Sequence, residues 1–231
     1  MLEPRFRVHY WPFAFRGCFV THLLSYREQE FELVDFEEVA SQRRLNPKEQ
    51  KIPFMGPPLL EDKQTGLTLS QMPAILDYLG NTLDFAPKDK LHRALCSKVV
   101  MDCNDVLMEI CRYNGSQMWN RSDWKSFRNE RLPHWLAIFE ESIRRGTLGQ
   151  TEIHFADLAT FALWANMMRC LPELETDIEK QAPNLVTLIG KVQTNESLQA
   201  FLKIEEEKFG NLYCGGHIEK SIRQMLKEDS R

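Results

Sequence analysis

Two short segments in the first third of the chain have the residue types of a peptide-binding site. Pro57 and Pro58 precede a strand-like run at residues 59–61. Because proline donates no ladder hydrogen bond, we expect Pro58 at the start of an edge-like strand, after a cis peptide bond. Gln71 then opens an amphipathic helix, whose first backbone N–H groups have no partner within the helix and attract anions. A bend beside a helix N-terminus predicts a site for a small peptide.

The elements around this site alternate between strands and helices. The patterns predict strands over residues 6–10, 31–36, 59–61 and 67–69, and helices over residues 17–26, 37–44 and from residue 71 onward. The last two strands form a hairpin around a turn at residues 62–66. The order β-α-β-α-β-β-α suits a four-stranded mixed sheet with helices on its faces.

Beyond residue 90 the strand patterns disappear. The periodicity predicts helices over residues 91–113, 122–145, 154–170, 184–193 and 197–203, followed by a loop at 210–216 and a terminal helix at 218–227. We therefore predict an α/β domain over residues 1–85, which contains the peptide site, and an all-α domain over residues 86–231.

The composition limits the partners of the chain. Its 231 residues are 43% hydrophobic, enough for a full core, and its formal net charge of −4 comes from interspersed acidic and basic residues. This charge pattern argues against nucleic acid and anionic membranes as partners. No segment approaches the ~20 apolar residues of a membrane span, and the N-terminus lacks a signal-peptide pattern, so we expect a cytoplasmic protein.

The cysteines show no metal-binding pattern. The six cysteines are Cys18, Cys96, Cys103, Cys111, Cys170 and Cys214. They contain neither a Cys-x-x-Cys pair nor a zinc-finger spacing, which is typical of reduced, mostly buried thiols. We expect no metal cofactor.

Taken together, the motifs resemble the glutathione site of the cytosolic glutathione S-transferase superfamily. The proline before a hairpin, Gln71 at a helix start and the following Ala-Ile-Leu-Asp-Tyr-Leu-Gly carry the resemblance. Upstream, Tyr10-Trp-Pro followed by Arg16-Gly is similar to the end of the first strand in the tyrosine-type classes (mu, pi, sigma and related bacterial enzymes). Downstream, the segment ending in Asp157 resembles the capping box of the family's helical domain. The resemblance spans about residues 5–205.

This resemblance implies a thioredoxin-like N-terminal domain, an all-helical C-terminal glutathione-transferase domain and a homodimer. It also implies an enzyme that conjugates the thiolate of glutathione, its co-substrate, to hydrophobic electrophiles. Because a free thiol titrates near pH 8.5, only a few per cent is ionised at neutral pH, and the enzyme must stabilise the anion. Tyr10 is the candidate catalytic residue, since a phenol stays protonated and can donate to sulfur, supported by the dipole of the helix that starts near Arg16. A core tyrosine is the alternative interpretation.

The resemblance also implies contacts for the rest of glutathione. The Gln71 amide and the Met72 backbone N–H would bind the γ-glutamyl carboxylate, and the Pro57 carbonyl, before Pro58, would accept from the cysteinyl amide. Met72 stands where the family usually has serine, and Pro57 lacks the N–H that the family normally offers. These departures predict a weakened glutathione site.

Three charged residues complete the expected glutathione site. Lys48 or Lys51 would meet the glycyl carboxylate, although both could simply be solvated. Asp105 matches the acidic residue that reaches the γ-glutamyl amine across the dimer interface in many relatives, with Asp102 as its competitor.

The electrophile pocket should lie between the domains. We expect it to be lined by Phe13, Phe15, Met108, Tyr113 and Trp119, an apolar set that suits a hydrophobic co-substrate. Each of these residues could instead belong to the core.

Other functions stay open on the same residues. Peroxidase or isomerase side activity could use the same site. A non-catalytic binding or structural protein with this fold is the main alternative, because of Pro57, Met72 and the loop at Phe13-Ala14-Phe15, which is two residues longer than the mu and pi pattern. Glutathione-dependent reduction through Cys18, expected to be the only cysteine near the site, is a third; Trp11 occupies the position of the redox cysteine of the omega class.

Overall fold

A four-stranded sheet forms the first third of the chain in the computed structural model, which describes residues 3–229. The strands are β1 (Phe6–His9), β2 (Phe31–Leu33), β3 (Leu59–Asp62) and β4 (Leu67–Ser70). Strand β1 pairs in parallel with β2 and antiparallel with β3, and the order across the sheet is β2-β1-β3-β4. The predicted mixed sheet is confirmed, with β2 three residues shorter than expected.

Alternating apolar residues fix the register of this sheet. Phe6 and Val8 on β1 are fully buried, and Val8 lies opposite the buried Leu60 of β3. At the other end of β3, the Asp62 carboxylate receives a hydrogen bond of 2.6 Å from Arg5 and one of 2.7 Å from the Tyr78 hydroxyl. A one-residue slip would expose the apolar set and break this buried ion pair.

Twelve α-helices surround and follow the sheet within residues 3–229. They are α1 (Arg16–Tyr26), α2 (Phe36–Arg44), α3 (Met72–Thr82), α4 (Lys90–Ile110), α5 (Arg112–Gly115), α6 (Arg121–Ser126), α7 (Leu132–Arg144), α8 (Phe155–Cys170), α9 (Glu175–Gln181), α10 (Pro183–Gln193), α11 (Glu196–Phe209) and α12 (Gly216–Asp229).

Helix α8 is the centre of the helical part. It is apolar around almost its whole circumference, which is typical of a helix with no solvent face. It packs against α4 and α10 on the helical side and against α1 and α3, which cover the sheet. Its first turn is held by Asp157, whose carboxylate accepts from the backbone N–H groups of His154 and Gly149 at 2.8 Å each. The predicted cap is therefore present.

Two predicted long helices are interrupted. The helix expected over residues 91–113 ends at Ile110, whose carbonyl accepts a 2.9 Å hydrogen bond from the Trp119 indole, and residues 112–114 have left-handed φ angles. The helix expected over residues 122–145 contains a π-helical turn at Phe127–Arg131. Pro133 follows this turn, and because it has no N–H, it removes one bond of the α-helical ladder.

The C-terminal helices are longer and better packed than the sequence predicts. Helix α9 was not predicted, because Ile178 is its only buried residue. Helix α11 extends six residues beyond its predicted end at residue 203, through three consecutive glutamates. Helix α12 buries one face, including Ile222 and Leu226, against the helical part.

The part of the chain that the structure describes contains no helix that is both long and apolar enough to span a membrane. The last strand of the sheet ends at Ser70, and α3 and α4 are separated by the loop over residues 83–89. We propose that the division between residues 1–85 and 86–231 follows this loop.

Candidate functional site

A cavity of about 740 Å³ lies between the sheet region and the helical part. Its volume is within the ~300–1,000 Å³ range of small-molecule sites. The structure brings ten of the predicted site residues to its wall: Tyr10, Phe13, Phe15, Arg16, Pro57, Pro58, Gln71, Met72, Asp105 and Met108. These residues come from four separate segments, so the fold places the predicted peptide-binding and electrophile-binding groups around one space.

Tyr10 directly follows β1, and its position is set by helix α1. Its hydroxyl oxygen accepts a 3.0 Å hydrogen bond from the backbone N–H of Arg16, the first residue of the helix. Its ring lies so close to Gly17 that no side chain fits between them. Because the oxygen is the acceptor here, the phenol can still donate its own hydrogen to a ligand.

The electrostatics of Tyr10 keep this donor intact. Burial raises the pKa of the phenol well above its usual range, and the opposing effects of the Arg16 charge and backbone N–H are smaller. The phenol therefore stays protonated at physiological pH. A protonated hydroxyl at the positive end of a helix is suited to stabilise an anion beside it.

Arg16 carries a donor that the protein does not use. Its Nη2 atom is buried and has no hydrogen-bond partner within residues 3–229, although the residue lines the cavity. The rest of the guanidinium lies over the Phe15 ring at 4.9 Å, and Nε contacts the Asn104 Oδ1 atom at 3.5 Å. A buried cationic donor without a partner favours an anionic ligand in this cavity.

The helix N-terminus predicted beside the proline bend is present. The peptide bond between Pro57 and Pro58 is cis, and β3 starts one residue later. Helix α3 begins at Met72, and Gln71 before it has a φ of 72°, a left-handed conformation that is uncommon for a residue other than glycine. Gln71 is exposed and Met72 is buried, and both residues line the cavity at this helix start.

Asp105, rather than Asp102, lies at the cavity. Asp105 is exposed on α4 and lines the wall. Asp102 forms an ion pair with Lys98 one turn earlier on the same helix, at 2.5 Å. The structure thus separates the two aspartates that the sequence could not rank.

Four predicted site residues lie outside this cavity. Lys51 pairs with Glu61 on β3 at 3.2 Å, and Lys48 is exposed in a turn that its backbone forms with Asn46. Tyr113 and Trp119 line a neighbouring cavity of about 490 Å³, because the left-handed turn after α4 directs the chain away from the first cavity. Trp119 is largely buried there.

Arg43 is the basic residue that α2 brings to the cavity instead of the two lysines. It lies in the last turn of the helix and donates from Nε to the Met55 carbonyl at 3.2 Å. The sequence offered one available signal, since Arg43 and Arg44 are basic residues at a predicted helix end.

The C-terminal segment contributes a wall that sequence analysis missed. The Ala14 N–H donates to the Leu212 carbonyl at 3.0 Å, and Gly215, with a φ of 70°, comes so close to the Phe13 ring that a Cβ there would be 2.9 Å from it. Cys214 and Ile218 line the cavity in consequence. One carboxylate oxygen of Glu219 holds this turn by accepting from the N–H groups of residues 213–215 at 2.7–3.1 Å.

The expectation that Cys18 is the only cysteine near the site was wrong. Cys111 and Cys214 line the cavity, whereas Cys18 lines a second cavity of about 260 Å³, whose wall shares Tyr10, Trp11 and Phe13 with the first. Burial raises the pKa of the Cys214 thiol well above its usual range, and it raises that of Cys18 in the same way, with Glu205 as the next cause. Neither thiol is a ready nucleophile.

Comparison with known proteins connects this geometry to a family. The family described as "Glutathione S-transferase, C-terminal domain" matches residues 95–225, more than half of the chain. The chain belongs to the glutathione S-transferase family. The match covers the helices that close the cavity, and the N-terminal sheet with its helices is the thioredoxin-like domain that accompanies them in this fold.

Individual relatives are distant but cover most of the chain. A glutathione S-transferase from Plasmodium yoelii yoelii is 28% identical over 60% of this chain and 69% of its own length. The hematopoietic prostaglandin D synthase of Rattus norvegicus is 25% identical over 86% and 96%. Among solved structures, the pi-class glutathione S-transferase of Onchocerca volvulus has a TM-score of 0.72 at 15% identity, covering 92% of this chain and 98% of that one.

Proposed function

We propose that this protein is a glutathione transferase of the tyrosine type. It binds glutathione as co-substrate and transfers its thiolate to hydrophobic electrophiles. The observation that carries the proposal is the Tyr10 hydroxyl, which is held by the Arg16 N–H at the start of α1 and can still donate into the cavity. Family membership supports the reaction class, and the site residues support the mechanism.

Glutathione is an anionic tripeptide, and the donors of the cavity suit its groups. The γ-glutamyl carboxylate binds the Met72 N–H and the Gln71 amide at the positive end of α3. The Pro57 carbonyl accepts from the cysteinyl N–H. We assign the glycyl carboxylate to Arg43, because it lines the cavity and the two lysines do not. The partnerless Arg16 Nη2 atom adds positive potential to the same space.

The role of Tyr10 is to hold the sulfur as an anion. With the sulfur near the phenol, the Tyr10 hydrogen is donated to the thiolate while the Arg16 N–H is donated to the Tyr10 oxygen. Two donors in series polarise one another, and hydrogen bonds to charged groups contribute about 1.5–3 kcal/mol. That free energy corresponds to a thiol pKa about one to two units lower, at 1.36 kcal/mol per unit.

The electrophile occupies the apolar part of the cavity. Phe13, Phe15 and Met108 form its wall, together with Ile218 from the C-terminal segment. A hydrophobic acceptor beside the sulfur is attacked without a metal ion or a covalent enzyme intermediate. Holding both reactants in one site contributes through orientation. Isomerisation and peroxide reduction are side activities of this site that we propose to assay.

We further propose a cytoplasmic homodimer. In this arrangement Asp105, exposed on α4 at the cavity edge, reaches the γ-glutamyl amine of glutathione in the partner subunit. The observation that supports this placement is that Asp102 is already paired with Lys98.

A glutathione-binding protein without turnover is the second candidate. Pro57 offers no N–H to the cysteinyl unit, and Met72 lacks the hydroxyl that the family usually provides. Each missing hydrogen bond weakens binding by about 0.5–1.5 kcal/mol.

Two measurements distinguish these candidate functions: binding to immobilised glutathione and conjugation of an aryl halide. We expect the wild-type protein to be retained and to conjugate the aryl halide, and Tyr10→Phe to be retained with kcat/KM lowered at least tenfold. Tyr26→Phe is the matched control, because Tyr26 also belongs to the α1 region but packs on Phe85 outside the cavity. Retention without turnover would favour the second candidate, and equal activity in Tyr10→Phe and Tyr26→Phe would contradict the first.

A further inference from the structure

A buried cluster of Cys18, His22 and Glu205 lies between α1 and α11, beside the second cavity, whose wall also includes Tyr10. Cys18 and His22 are four residues apart on α1 and therefore share a face, and Glu205 comes from α11. The Glu205 carboxylate contacts Cys18 Sγ through Oε1 at 2.9 Å and His22 Nε2 through Oε2 at 3.0 Å. The three side chains are at most 3% exposed.

The charge state of the cluster follows from its burial and from the contacts among its three side chains. Burial opposes ionisation of Glu205, but the interactions with His22 and Cys18 outweigh it and leave the carboxyl pKa below its usual range. Burial and the Glu205 charge raise the pKa of the Cys18 thiol. The cluster is thus a carboxylate that accepts from a thiol and an imidazole. Arg169 lies 3.8 Å from the same carboxylate and adds a positive charge.

These three groups are the ligand types that zinc prefers. A thiolate, an imidazole and a carboxylate bind Zn²⁺ at about 2.0–2.3 Å, which places the ligand atoms of a tetrahedral site about 3.3–3.8 Å apart. The Sγ atom, the imidazole nitrogen and the carboxylate oxygen all lie within 4.8 Å of one another. The contacts of Glu205 must lengthen by a few tenths of an ångström, and the most widely separated ligand atoms must approach by up to about 1 Å, to reach that geometry.

The second cavity supplies access to the cluster. Its volume is about 260 Å³, and its wall includes Cys18, Thr21 and Glu205. A zinc ion with three protein ligands takes its fourth ligand from water or a small molecule. A cavity beside two of the three donors provides the space for it.

We propose that Cys18, His22 and Glu205 form a zinc site with three protein ligands and a fourth position open to this cavity. The site joins α1, which begins at the Tyr10 partner Arg16, to α11. The zinc site requires neither glutathione nor the Tyr10 hydroxyl, so it can be tested independently of the transferase reaction.

Binding releases one proton. The metal takes the place of the thiol hydrogen, which passes to solvent. The hydrogen on Nε2 of His22 moves to Nδ1, which frees Nε2 to bind the metal, and the carboxylate is already ionised. Two features limit the affinity. Nδ1 of His22 is buried without a partner within residues 3–229, and Arg169 repels the cation. Because a missing outer-shell partner costs about 10–100-fold in affinity, we expect this site to bind zinc at least tenfold more weakly than a site with a complete outer shell.

This site departs from the expectation drawn from the sequence. The cysteine spacing indicates no metal site, because the ligands come from three residue types and Glu205 is 183 residues from His22 along the chain. In the sequence, Glu205 is the first of three consecutive glutamates, which are typical of a solvated helix face.

The test uses the tag-free, full-length protein after chelator treatment. We expect one Zn²⁺ per chain in competition with a chromophoric chelator, with one proton released, and a thiolate charge-transfer band with Co²⁺. Cys18→Ser should lower zinc affinity at least tenfold and abolish the band. Cys103→Ser is the matched control, because Cys103 is equally buried on α4 and lies outside the cluster.

Several outcomes would overturn the proposal. One is that the wild-type protein binds no zinc at 100 µM metal. Another is that Cys18→Ser and Cys103→Ser have the same zinc affinity and the same Co²⁺ band. If Cys18→Ser does not fold by circular dichroism, X-ray absorption on the wild-type zinc complex decides instead. One sulfur and two or more nitrogen or oxygen neighbours support the site, and a shell without sulfur contradicts it.

Discussion

Replacing Gly17 with alanine tests whether the placement of Tyr10 controls activity. A Cβ at Gly17 would lie 2.3 Å from Tyr10 Cδ1 and 2.4 Å from Cγ, whereas ordinary contacts begin near 3.4 Å. The ring must therefore move by about 1 Å, because α1 is packed against α8, α3 and α11 and cannot retreat. A misplacement of this size can lower the rate about 100-fold, which corresponds to about 2.7 kcal/mol of transition-state stabilisation.

The assay is kcat/KM with glutathione and an aryl halide, together with thermal unfolding. Gly190→Ala is the control, since Gly190 lies on α10 and an added Cβ there meets nothing within 4 Å. It should leave activity unchanged and stabilise the protein by about 1 kcal/mol through helix propensity. Folded Gly17→Ala with kcat/KM within twofold of wild type would refute the proposed dependence of catalysis on the Tyr10 position.

Two further predictions concern stability. Burial opposes ionisation of Asp62, but hydrogen bonds from Arg5 and Tyr78 lower its pKa to about 2. Its ionised form therefore stabilises the folded state above pH ~4, and the free energy of unfolding should fall by about 2 kcal/mol as the pH falls from 5 through 2. Urea titrations should show that Asp62→Asn lacks this loss. The same dependence of unfolding free energy on pH in Asp62→Asn and the wild type would contradict the assignment. The Tyr213 hydroxyl is buried without a partner within residues 3–229, so Tyr213→Phe should raise the free energy of unfolding by up to about 1 kcal/mol. The control Tyr78→Phe, which loses the hydrogen bond to Asp62, should lower it. A loss above about 1 kcal/mol in Tyr213→Phe would show that the hydroxyl has a partner in solution.

The local features of the fold and site could be predicted from the sequence. The Pro57-Pro58 step, the hairpin after it and the helix that begins beyond Gln71 follow from proline chemistry and periodicity within about 25 residues. The resemblance to a family then assigned roles to residues from distant segments, and the cavity contains most of them.

The features that depend on distant contacts could not be predicted. Cys214 and Ile218 reach the cavity because the turn around Glu219 places Gly215 against Phe13, two hundred residues earlier in the chain. Glu205 looks solvated in the sequence and is buried only because Cys18 and His22 meet it. Periodicity reports which face of a helix is apolar, and it does not report which element covers that face.

The interrupted helices show a second limit. The pattern of apolar residues continues across the end of α4, but the Trp119 indole binds the Ile110 carbonyl and the chain turns away. The two lysines predicted to bind the glycyl carboxylate do not line the cavity. Lys51 instead forms an ion pair with Glu61 on β3, a contact between separate segments that periodicity does not predict.

The most direct test of the central claim is the pKa of the glutathione thiol when it is bound. It is measured as the pH dependence of thiolate ultraviolet absorbance in the complex, for the wild-type protein and for Tyr10→Phe. The account predicts a bound thiol pKa about one to two units below that of free glutathione in the wild type, and a rise of at least about one unit in Tyr10→Phe. The same bound pKa in both proteins would contradict the assignment of Tyr10 as the donor to sulfur.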